Sequence, residues 1–116
     1  MLNVELKELV VRALEEVKGE EIVCLDISEL TDIADFMIVA SGNSSRHVKA
    51  LVNSVVEEAK HAGTKPLGVE GLEQSEWALI DLADVIVHVM LPKVRDFYDL
   101  ERLWSMKPGQ TDENLP

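Results

Sequence analysis

The chain has 116 residues, 47% of them hydrophobic and 28% charged, which is the size and composition of one globular domain with one core. Its 22 acidic against 11 basic residues leave a net charge of −11. That charge repels phosphate backbones and anionic bilayers, so it argues against direct nucleic-acid binding and membrane adsorption, and it would steer a basic protein inward.

Leu6, Leu9, Val10, Ala13, Leu14 and Val17 recur at helical spacing, predicting an amphipathic helix from Val4 to Lys18 with Asn3 as its cap and Gly19 as its stop. Glu21 to Ile27 reads as a short strand, apolar on both faces in its middle, where Cys24 is expected to be a small buried hydrophobe. Ser28 to Asp35 is a polar connection. Phe36 to Ala40 is a second apolar run, too short for a helix and closed by Ser41-Gly42. Asn43-Ser44-Ser45 opens a second helix that runs to about Ala62, with Ser44 or Ser45 as its cap, a buried stripe of Val48, Leu51, Val52, Val55 and Ala59, and Gly63 at its end.

Lys65-Pro66 begins an extended stretch through Val69, and Glu70-Gly71 turns the chain. Trp77–Leu82 and Val85–Leu91 are predicted as strands of a hairpin joined at Ala83-Asp84. Pro92 ends the second strand, and Lys93 to about Ser105 forms the last helix. On that helix Phe97, Leu100 and Trp104 share a face expected to hold it against the sheet, and Arg95 and Asp99 are spaced to pair on its surface. Three helices are too few for a doubly wound sheet. The expected fold is therefore a single α/β domain over residues 1–105, a mixed sheet of about five strands flanked by helices, followed by a flexible tail over 106–116. With one cysteine, no membrane-length apolar run and no visible leader, a cytoplasmic location is expected.

Enzyme chemistry finds little footing. Ser41-Gly42-Asn43-Ser44-Ser45 lies between a strand and a helix, where free N–H groups can hold a phosphate, but it matches neither a Walker loop nor a dinucleotide fingerprint. The arrangement loosely suggests a nucleotidyltransferase core, yet no Asp-x-Asp or Asp-x-Glu pair follows to hold metal ions. His47, His61 and His88 lack metal-ligand spacing, and His88, on a strand face with Ile86 and Met90, reads as structural. No catalytic residue, cofactor site or metal site is therefore expected. Four of the five aromatic residues, Trp77, Phe97, Tyr98 and Trp104, lie in the last third. Trp77 stands beside Glu70, Glu73 and Glu76, a setting suited to anchoring a basic partner.

Asp35-Phe36-Met37-Ile38-Val39-Ala40-Ser41-Gly42, followed by Ser44, resembles the first signature of the ribosomal silencing factor family (RsfS, also called Iojap). Glu70-Gly71, Trp77, Ile80-Asp81, Val87-His88, Arg95, Phe97-Tyr98, Leu100-Glu101 and Leu103-Trp104 resemble the rest of it in order. The resemblance implies a nucleotidyltransferase-like core without catalytic carboxylates, and a protein that is not an enzyme. It implies binding to the large ribosomal subunit through its universal protein fourteen, a steric block to subunit joining when nutrients are scarce, a link to large-subunit maturation, and a homodimer when free. The family usually has a large residue followed by Gly where this chain has Leu82-Ala83, so a different hairpin turn is expected here.

Together these readings put the partner-binding surface at Trp77 and the hairpin after it, with Glu70, Gly71, Asp81 and Asp84 nearby, and with Arg95, Tyr98 and Glu101 extending or bracing it.

Overall fold

The apolar stripes fix which faces must be covered, and the computed structural model, which describes residues 2–104, shows how. The elements are α1 (Asn3–Glu16), β1 (Glu20–Asp26), β2 (Phe36–Ser41), α2 (Ser45–His61), β3 (Gly68–Glu70), β4 (Trp77–Asp81), β5 (Val85–Met90), α3 (Pro92–Tyr98) and α4 (Leu100–Trp104). The strands form one mixed sheet in the order β1-β2-β5-β4-β3, parallel between β2 and β5 and antiparallel elsewhere. The expected mixed α/β architecture is borne out. Ser105 and the tail over 106–116 lie outside the described residues.

Strand alternation divides the core. Ile38, Ala40, Ala78, Ile80, Val85, Val87 and Val89 turn to one face and pack beneath α1 and α2, whose stripes of Leu6, Val10, Ala13, Leu14 and of Val48, Leu51, Val52, Val55, Ala59 are buried as predicted. On the other face Met37, Val39 and Met90 form a smaller cluster with Trp77, Ile86, Val94, Leu100 and Trp104. The short α3 and α4 pack on this second face.

Several local readings change. Leu2, not Asn3, is the cap of α1, and the Asn3 side-chain amide instead donates to Asp35 at 2.5 Å. The helix ends at Glu16 and is closed by Lys18, whose φ is +60°: the Lys18 N–H bonds to the Glu15 carbonyl and the Gly19 N–H to the Leu14 carbonyl, a Schellman closure. Ser44 does cap α2, its side chain accepting from the His47 N–H at 3.1 Å. Cys24 is exposed, not buried, because β1 is an edge strand and its register shifts beside Glu21. Only Gly68–Glu70 of the extended stretch pairs as a strand, and Glu70 closes that strand instead of turning the chain.

The predicted last helix is broken. Asp99 adopts φ +48°, a left-handed conformation that Asp tolerates better than most residues, and it separates α3 from α4. Beyond the break Leu100 and Trp104 pack on the second cluster as expected, whereas Phe97, on α3 before it, is 81% exposed. The hairpin turn also differs from expectation, since Ala83 keeps a positive φ of +71°. Its N–H donates to the Asp81 carboxylate at 2.9 Å, and the Asp84 N–H bonds to the Leu82 carbonyl at 3.0 Å, closing a γ-turn.

Candidate interaction surface

The position of Trp77 is set by the loop before it. Gly71 has φ +84°, and a Cβ there would sit 2.1 Å from the Trp77 carbonyl oxygen, so the approach admits only glycine. The Ser75 N–H returns to the Gly71 carbonyl at 2.9 Å and the Ser75 hydroxyl donates to the Leu72 carbonyl at 2.6 Å, which buries Ser75 at φ +56°. This tight loop delivers Trp77 to the first position of β4, opposite Met90.

There the indole is fixed from two sides. Its Nε1–H donates to His88 Nδ1 at 2.9 Å, and the Tyr98 ring lies 4.6 Å away, tilted by 45°. Phe97 meets Tyr98 edge-on at 5.0 Å. Because Nδ1 accepts, the proton of the neutral His88 ring resides on Nε2. Burial pushes the His88 pKa down to about 4, so the ring is uncharged at neutral pH. His88 therefore acts as the acceptor that orients Trp77. The sequence reading identified it as structural without finding this partner, since nothing local links positions eleven residues apart.

Two clefts open beside this aromatic group and share Glu76, Val94 and Tyr98. One, of about 420 Å³, is also lined by Gly71, Glu73, Gln74 and Trp77. The other, of about 310 Å³, is also lined by Leu91, Lys93 and Phe97. Glu73 and Glu76 are exposed at the first cleft, as are Phe97 and Tyr98 at the second.

Of the sequence-predicted site residues, Gly71, Trp77 and Tyr98 meet here. Arg95 and Glu101 lie behind them as a brace. Arg95 is 5% exposed, and its guanidinium donates to Ser41 Oγ at 2.8 Å and to Glu101 at 2.5 Å. The expected surface pair with Asp99 is thus replaced by a partly buried pair with Glu101 across the helix break. Glu70 sits further along, opposite Leu79. Asp81 and Asp84 occupy the far end of the hairpin, Asp81 about 14 Å along the strand from Trp77 at the usual rise per residue. Phe97, Glu73 and Glu76 complete the aromatic and acidic surface. The sequence put Phe97 in the core because its spacing suited one continuous helix.

Several polar groups of the Ser41–Ser45 segment are engaged within the chain. Ser41 Oγ accepts from Arg95, Ser44 caps α2, and the Asn43 N–H donates to His47 Nδ1 at 2.9 Å. His47 Nε2 in turn lies 2.7 Å from the Val17 carbonyl. Among the described residues, no group of three or more His, Cys, Asp or Glu is placed to hold a metal ion, and no helix is long and apolar enough to cross a membrane.

Comparison with known proteins gives a consistent result. A family model described as "Ribosomal silencing factor during starvation" matches residues 3–116. The ribosomal silencing factor RsfS of Chromobacterium violaceum is 54% identical over 106 residues, covering 90% of this chain and 87% of that protein. Its counterpart from Halalkalibacterium halodurans is 40% identical over 108 residues, covering 93% and 92%. A Mus musculus protein named "Mitochondrial assembly of ribosomal large subunit protein 1" is 27% identical over 103 residues, or 86% of this chain and 45% of that protein. A crystal structure of a Chromobacterium violaceum protein superposes with a TM-score of 0.90 at 47% identity, covering 100% of this chain and 95% of that one.

Proposed function

This chain belongs to the family of ribosomal silencing factors, and from that membership we propose that it binds the large ribosomal subunit and sterically blocks joining of the small subunit, repressing translation when nutrients are scarce. The family match across residues 3–116 is the observation that carries this reading. We place the contact on a basic ribosomal protein, the universal protein fourteen of the large subunit, and on the Trp77–Tyr98 surface of this chain. The net charge of −11 and the carboxylates beside Trp77 support a basic protein partner over rRNA. A half-buried Trp77 held in place by His88 and Gly71, beside the exposed Tyr98 and Phe97, supports a preorganised anchor. Steric exclusion needs affinity and bulk without catalysis, and the protein acts in the cytoplasm, as a homodimer when free.

A second reading, assembly of the large subunit, is favoured by the name of the mouse relative. Sedimentation with separated subunits tests both. Retention on the large subunit together with fewer joined ribosomes supports silencing. Normal joining with slowed subunit maturation in a deletion strain supports assembly, and sedimentation with neither subunit overturns both.

A further inference from the structure

The two clefts astride Tyr98 differ in chemistry, and the difference specifies what each can hold. In the first, Glu73 and Glu76 present carboxylates that have no ion pair among the described residues, beside the rings of Trp77 and Tyr98. The Trp77 N–H is already committed to His88, so the indole contributes ring surface and no hydrogen bond. Carboxylates next to aromatic surface suit a planar cation, which can lie on a ring while its N–H groups reach the acids. The second cleft is walled by Leu91, Val94 and the exposed Phe97, with Lys93 at its edge. Lys93 disfavours a second cation there, and the apolar wall favours an apolar side chain.

We propose that these clefts receive one segment of the partner protein, an arginine side chain entering between Glu73, Glu76 and Trp77, and an apolar side chain seating against Phe97 on the other side of Tyr98. The proposal rests on the reading that this face meets a basic ribosomal protein, and it fixes the orientation in which such a protein docks. Arginine fits better than lysine because an ammonium has no planar face to lay against the ring.

The test uses the full chain and the Trp77 indole N–H resonance. N-acetyl-arginine amide is expected to shift that resonance saturably and N-acetyl-lysine amide to do so more weakly. Glu73→Gln combined with Glu76→Gln should weaken the arginine response by about tenfold. These substitutions change exposed side chains, so the fold should be retained. With purified large subunits, the double variant should bind more weakly and with a shallower salt dependence than the unaltered chain, whereas Phe97→Ala should bind more weakly with its salt dependence unchanged. No arginine response, or an equal one in the double variant, overturns the proposal. Undiminished subunit binding by both variants overturns it too while leaving the ribosomal reading intact. Failure of the unaltered chain to bind large subunits overturns that reading, and the arginine titration then decides the clefts alone. A Trp77 shift that follows protein concentration without additive would assign the clefts to a second copy and overturn the proposal.

Discussion

His88 and Gly71 show how single residues hold the surface in place by opposite means, one through a hydrogen bond and one through the lack of a side chain. His88 is buried between its cross-strand partners Leu79 and Val39 and accepts from Trp77. Its pKa is about 4 in the folded chain against an ordinary 6.5. Between those values the unfolded chain binds the extra proton, so this contribution is whole above pH 6.5 and is lost as pH falls toward 4. The slope is about 1.4 kcal/mol per pH unit. Urea unfolding between pH 7 and 4.5 should show that loss, and His88→Gln should flatten it relative to the unaltered chain. Gly71→Ala should cost roughly 2–4 kcal/mol in the same measurement, because the new methyl meets backbone that cannot retreat. The turn at Gly71 was legible in the sequence. The carbonyl it must avoid was not, because the loop's folding back onto Trp77 is a three-dimensional fact.

At the scale of elements, the carboxyl-terminal pair of helices departs most from what periodicity implies. Positions 93–105 carry an unbroken helical spacing, so local reasoning joins them. The left-handed Asp99 divides them, and Glu101 then folds back onto Arg95 while Leu100 and Trp104 reach the second cluster. Arg95 ties this pair to the end of β2 through Ser41, 54 residues away in the chain. Arg95→Ala should therefore destabilise the protein by about 2–4 kcal/mol, since it leaves Glu101 and Ser41 without their shared partner. Amide hydrogen exchange over residues 100–104 should accelerate more than exchange in α1 or α2. Uniform acceleration across the chain would show instead that the brace serves the whole core. The α1 and α2 stripes needed no such correction. Their burial follows from spacing within each helix, and one continuous sheet face received both.

For the whole molecule, charge and topology act together. A net charge of −11 gives a long-range attraction for a basic surface, which salt screens over a Debye length of about 8–10 Å. Association with large subunits should accordingly slow by roughly tenfold between low and physiological ionic strength, with dissociation changing less. Stopped-flow binding at several salt concentrations measures this, and a salt-independent association rate would remove steering from the mechanism. The sheet order β1-β2-β5-β4-β3 sets the first residue of β4 beside the last of β5, where α3 begins. That arrangement gathers Gly71, Trp77, His88 and Tyr98 into one place and sends Asp81 and Asp84 to the far end of the hairpin. By itself the sequence determined the element order as far as the last helix, the helix stripes, the hairpin, the charge and the family resemblance, because each depends on residues close in the chain or on composition. The tertiary structure decided that Cys24 and Phe97 face outward, that Arg95 is buried and that Trp77 is held by His88. Those outcomes depend on which distant segments cover a given side chain, and local spacing carries no record of that.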